Sequence, residues 1–232
     1  MGACKKVKKN STVQNEMQKY FKERGLYVAC PDDRERLSLL LSQSFSDYPL
    51  MRYFSGPDIS LISSFFDIET QAMEGVCMTI ADSEDMNSVL SFSLTQTGEI
   101  SLMKYLKCGM QKLTKKMGVK KSVGMVVVLG KMETLMQKYK SPQDFYVRYL
   151  ATAPDMQKKG LATHLMKTFQ QFADENNRGV YLETFLETDS GIYQRMGFEL
   201  KEKVEMKDGS GLKMYAMYYN KVSQEAKYTL EE

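Results

Sequence analysis

The stretch from Phe145 to Phe198 constrains the fold of this chain more than any other. An apolar segment, FYVRYLA, leads through Thr152-Ala153-Pro154 into Gln157-Lys158-Lys159-Gly160-Leu161-Ala162 and then into a segment with helical periodicity. That order reads as a strand, a tight turn and a helix whose first turn points its amides at an anion. Those amides have no partner inside the helix, and the aligned peptide dipoles leave partial positive charge at that end. Gly160 removes the side chain that would hold a phosphate off the backbone, Ala162 stays small, and Lys158 and Lys159 add positive charge. Leu161, Leu165, Phe169 and Phe172 recur at spacings of three and four, so one face of the helix can pack on a sheet. A phosphate-bearing ligand is the expectation.

The turn is neither GxxxxGK[ST] nor GxGxxG. It matches Q/R-x-x-G-x-G/A through Gln157, Gly160 and Ala162, and about thirty residues on comes Ile192-Tyr193-Gln194-Arg195-Met196-Gly197-Phe198. The two segments, in this order and at this distance, resemble the GNAT superfamily of acetyl-CoA-dependent N-acyltransferases, the second being similar to its L-Y-x-x-x-G-F signature. The close resemblance spans roughly residues 144 to 200.

The resemblance implies a mixed α+β fold: a mostly antiparallel central sheet flanked by helices, splayed between the strands at 145–151 and 180–184. Coenzyme A enters that splay. By resemblance the backbones of Leu150, Ala151 and Thr152 pair with its pantetheine, and the loop Gln157, Lys158, Lys159, Gly160, Leu161, Ala162 and Thr163 holds its pyrophosphate. Tyr193 stands at the family's tyrosine position, where a phenol protonates the departing thiolate. Two departures stand out: Asp189 replaces the usual Asn four residues before the tyrosine, an acceptor without amide donors, and Lys159 replaces the middle glycine of the loop. Acetyl-CoA is therefore the expected cosubstrate, with a small-molecule or peptide amine as acceptor. A noncatalytic acyl-CoA-binding module on the same fold is the alternative.

Amide formation needs a neutral amine, and an amine with a pKa near 10.4 is almost wholly protonated at neutral pH, so a base or a water chain must take a proton. Glu183, on the strand beside the splay, is the leading candidate, with Asp144 and Tyr146 as others on the central strand. The single histidine, His164, rules against triad and multi-histidine metal chemistry, and no metal is expected.

With 232 residues and 43% hydrophobic content the chain can bury a sizeable core. One GNAT-like domain is expected over residues 25–222, after a basic leader with a possible short helix over 1–24 and before a tail over 223–232. The net charge of +3, from 32 basic and 29 acidic residues, gives no reason to expect nucleic acid. Cys4, Cys30, Cys77 and Cys108 form no CxxC spacing and read as free thiols of a reducing compartment. No apolar run approaches the length of a membrane span and the N-terminus lacks a signal-peptide core, so stable membrane insertion is not expected and a cytoplasmic enzyme is.

Elsewhere, helices are predicted over 33–44 and 59–74 and a hairpin over 76–81 and 88–95. A helical insertion is predicted over about 100–140. Within it, Leu102, Leu106, Met110, Leu113 and Met117 form one stripe of a single helix, with Lys104, Lys107, Lys112, Lys115 and Lys116 on the remainder. That basic amphipathic helix reads either as a packed insertion with a solvated lysine face or as a docking element for a membrane or acidic partner. Residues 122–129 read equally as strand or helix.

Overall fold

The computed structural model describes residues 12–56, 58–93, 100–206 and 210–220. Its centre is a seven-stranded sheet with the order β1-β2-β3-β4-β5-β7-β6. The strands are β1 (Tyr27–Val28), β2 (Cys77–Ala81), β3 (Ser88–Ser93), β4 (Phe145–Thr152), β5 (Val180–Thr184), β6 (Glu199–Glu205) and β7 (Lys213–Tyr219). Every neighbouring pair is antiparallel except β4 and β5. This is the mixed, mostly antiparallel α+β architecture expected from the sequence.

Alternation along the strands divides the core into two layers. One face carries Ile80, Leu90, Phe92, Phe145, Val147 and Val180, and it is covered by α1 (Thr12–Glu23) and α8 (Leu161–Glu175). The periodicity seen in the sequence is what α8 uses, since Leu165 and Phe169 are fully buried and Phe172 nearly so. The helix α1 seats Met17 and Phe21 in the same layer, which ties residues 12–23 into the folded body. The expected basic leader and tail otherwise fall on residues 1–11 and 221–232, outside the described residues.

The opposite face is covered by α2 (Arg34–Ser44), α3 (Pro49–Ser55), α4 (Ile59–Met73), α5 (Leu102–Lys107), α6 (Met110–Met117) and α7 (Val119–Tyr139). The segment expected to be one lysine-rich helix is two, because Gly109 sits at φ 98 in the left-handed region and turns the chain between α5 and α6. The ambiguous stretch 122–129 is helical, within α7. Its β-branched run makes its hydrogen bonds inside the 21-residue helix, a case of context overriding propensity.

Cys77 and Cys108 are free thiols, as expected. Cys30 is not: it is disulfide-bonded. Among the described residues no helix is long and apolar enough to cross a membrane.

Candidate active site

The sheet parts where β4 meets β5. The two strands pair only at Phe145 with Val180 and Tyr146 with Tyr181, after which β4 stays with β3 and β5 with β7. The closed end of this fork is pinned by Asp144, which accepts from the Gly179 N–H at 2.7 Å, the Ser141 N–H at 2.8 Å and the Tyr218 hydroxyl at 3.0 Å. A carboxylate committed to three donors is a structural brace, so Asp144 is not positioned as a base. At the open end Tyr48 holds β5, its hydroxyl accepting from the Phe185 N–H at 2.7 Å and lying 3.0 Å from Thr184 Oγ1.

Main-chain groups of β4 face the fork where the strand has lost its partner. The Ala153 N–H donates to the Asn87 carbonyl, and the Ser88 hydroxyl donates to the Ala151 carbonyl. By the alternation of an antiparallel ladder, Ala151 then turns its polar backbone toward β3 while Leu150 and Thr152 turn theirs to the gap. The Thr152 carbonyl accepts from the Ser44 hydroxyl at 3.1 Å.

A cavity of about 330 Å³ occupies the fork and extends under α5 and α7. Tyr193, Asp189, Thr184 and Leu150 line it at the fork, and Glu183, Tyr146, Arg148 and Glu69 line it further in. The sequence candidates Glu183 and Tyr193 thus border one space. Both oxygens of Glu183 are buried without a completed hydrogen bond. Burial pushes its carboxyl up to about 7, against the opposing pull of the Tyr146 and Tyr181 phenols that face it. Tyr193 is carried on α9 (Glu187–Arg195), its ring 5.5 Å from that of Phe198. Burial, with the nearby Tyr48 and Asp189, holds its phenol well above the ordinary range, so it stays protonated at neutral pH. Burial also raises the Asp189 carboxyl, in spite of its 3.4 Å contact with the Thr184 hydroxyl.

The β4 bulge shapes the inner half of this cavity. Ser91 pairs with Tyr149 but Phe92 pairs with Val147, which leaves Arg148 as the extra residue. The bulge resets the alternation, so Tyr146, Arg148 and Tyr149 all line the cavity. Arg148 Nη2 lies 2.9 Å from Glu69 Oε1 and 3.1 Å from the Tyr105 oxygen, and the Tyr105 hydroxyl donates to Glu69 Oε2 at 2.8 Å. Sequence reasoning found none of these three, nor Tyr48. The one local signal is the aromatic run of Tyr48, Tyr53 and Phe54.

The loop Gln157, Lys158, Lys159 and Gly160 is exposed and follows β4 in the chain, and none of its residues lines the cavity. Gly160 caps α8 at φ 82 and Lys158 sits at φ 63. A Cβ on Gly160 would meet nothing within 4 Å, so glycine is required there by conformation, and the space beside it is open. Hydrogen bonding in α8 begins with the His164 N–H donating to the Gly160 carbonyl at 2.9 Å. The amides of Leu161, Ala162 and Thr163 precede that bond and form the donor end of the helix. His164 itself is exposed. Among the described residues no group of three or more His, Cys, Asp or Glu is arranged to hold a metal.

Residues 115–200, which include the fork, the loop and Tyr193, match the family model described as an acetyltransferase (GNAT) domain. That stretch is similar to a GNAT acetyltransferase domain. The fold of the chain is shared with solved GNAT structures at low sequence identity. Arylalkylamine N-acetyltransferase 2 from Aedes aegypti aligns with a TM-score of 0.57 at 14% identity, covering 84% of this chain and 97% of that one. A Corynebacterium glutamicum structure described as histone acetyltransferase HPA2 and related acetyltransferase gives 0.55 at 15%, covering 84% and 94%. The Drosophila melanogaster polyamine N-acetyltransferase gives 0.53 at 16%, covering 84% and 99%. No curated protein matches the sequence. The matched stretch takes in the loop and the fork, while much of the cavity's lining, from Phe45 to Thr114, lies ahead of it.

Proposed function

We propose that the protein is an acetyl-CoA-dependent N-acyltransferase that moves an acetyl group to the amine of a small molecule or peptide in a ternary complex. The observation that carries this reading is the single cavity bordered by a carboxyl raised to about 7, Glu183, and a protonated phenol, Tyr193. A base with a pKa near the working pH and an acid that keeps its proton are the pair that amide formation from a thioester requires.

In this reading the cosubstrate lies along the unpaired edge of β4, its pantetheine against Leu150 and Thr152 with Ala151 between them. Its pyrophosphate lies on the loop from Gln157 to Thr163. The open space at Gly160, the donor end of α8 and the charges of Lys158 and Lys159 suit an anion of that size. Asp189 stands where an amide usually serves, its carboxyl raised by burial and accepting from the Thr184 hydroxyl. The acceptor ammonium gives one proton to Glu183, directly or through water; the neutral nitrogen then bonds to the acetyl carbon and loses its second proton to solvent. As the carbon–sulfur bond breaks, the Tyr193 proton passes to sulfur and the phenolate is refilled from solvent. The names of the arylalkylamine and polyamine neighbours are in keeping with a small amine acceptor.

Release of free CoA thiol over a panel of arylalkylamines, polyamines and short peptides tests the proposal. Turnover of at least one amine that is lost in Glu183→Gln supports it. Silence across the panel with acetyl-CoA still bound would leave a noncatalytic acyl-CoA-binding module instead.

A further inference from the structure

The helix α7 is apolar on two opposite sides. Gly124, Met125 and Val128 face the core, while Val119 is 83% and Val123 57% exposed, with Val126, Val127 and Leu129 exposed beside them. At about 100° per residue, Val119, Val123, Val126 and Val127 fall on one outward face. A helix that is hydrophobic all round is normally covered all round. The patch does not end with α7. Leu102 and Leu106 of α5 line the same cavity as Val126 and Leu129, and all four are also exposed, so the two helix faces adjoin around an opening of the cavity. Leu102 is 72% exposed and Met103 continues the patch outward.

The charge around this patch has one sign. Residues 101–132 contain eight lysines and no aspartate or glutamate, although the whole chain carries only +3, so the remainder is net acidic. Lys107, Lys112, Lys115, Lys116 and Lys120 are exposed. Apolar side chains in the middle with lysines around them match the two layers of an anionic bilayer surface, acyl chains below and charged headgroups above. No described helix can cross a membrane, so the contact is a surface one.

We propose that the outer face of α5–α7 docks this protein on an anionic lipid surface, with the inner end of the cavity opening toward the lipid. The proposal does not depend on acyl transfer. An amphiphilic acceptor would reach Glu183 from the side opposite the thioester, but docking stands or falls separately.

Co-sedimentation of the full chain with phosphatidylcholine vesicles, with and without phosphatidylserine, is the test. The comparison variants are Val119→Asp/Val123→Asp/Val127→Asp and Lys107→Glu/Lys116→Glu/Lys120→Glu, all at exposed positions, with folding checked by circular dichroism. Binding to the anionic vesicles, its suppression by high salt, and a loss of about tenfold or more in each variant are expected. No sedimentation of folded wild type, or sedimentation of both variants undiminished from that of wild type, overturns the proposal. So does a wild-type dimer that the valine variant splits without any vesicle binding, since the face would then be covered by a second copy of this chain.

Discussion

Arg148 Nη2 lies 2.9 Å from Glu69 Oε1 at the inner end of the cavity, and the glutamate side chain is only 1% exposed. The bulge in β4 delivers the arginine and α4 the carboxylate, while Tyr105 of α5 closes the group. A buried pair adds little net stability over an apolar replacement, yet losing one partner strands the other charge. Glu69→Gln should therefore cost about 3 kcal/mol in urea unfolding, and Glu69→Leu/Arg148→Met should recover most of it. Equal losses in the single and double variants would count against a coupled pair.

Glu183 links activity and stability to pH with opposite signs. As the proposed base it works when deprotonated, so kcat/KM should rise with pH through about 7 and the rise should vanish in Glu183→Gln. Folding raises its carboxyl from the ordinary 4.5 to about 7. Its contribution to stability is therefore full below 4.5 and is lost as pH rises through about 7. Glu183→Gln should then be more stable than wild type above that pH, by on the order of 2 kcal/mol. Thermal melts at pH 5 and pH 8 check the sign, and a variant gaining more at pH 5 contradicts it.

Tyr193→Phe removes one hydroxyl from a ring that stays packed on Phe198. Turnover should fall by about a hundredfold with acetyl-CoA affinity little changed. A fall in affinity with turnover intact would make Tyr193 a binding residue.

Asp144→Ala leaves two backbone amides and the Tyr218 hydroxyl without their acceptor at the closed end of the fork. A loss of roughly 2–4 kcal/mol is expected in denaturant unfolding. Asp144→Asn, which keeps one acceptor oxygen, should lose less.

The strand–loop–helix from Phe145 to Glu175 was readable because each of its signals is local: an apolar run, a Gly at positive φ and a stripe at helical spacing. Glu183 and Tyr193 were named from strand alternation and from resemblance to a signature, and the cavity brings them to one space. The inner half was not readable. Strict alternation along β4 fails at the bulge, which turns both Arg148 and Tyr149 to the cavity. Asp144 looked like a base from its position, but its three donors come from residues up to 74 positions away. Glu69 and Arg148 are 79 positions apart, and nothing local in either segment points to the other. The break at Gly109 was hidden because the apolar spacing continues through it, although the glycine's backbone turns the chain.

Titration calorimetry with acetyl-CoA and free CoA, on wild type and Gly160→Glu, tests the central claim most directly. Glutamate at φ 82 puts strain, bulk and negative charge on the donor end of α8. The account predicts that wild type binds both ligands and that the variant, folded by circular dichroism, binds neither. No binding by folded wild type, or undiminished binding by Gly160→Glu, would contradict it.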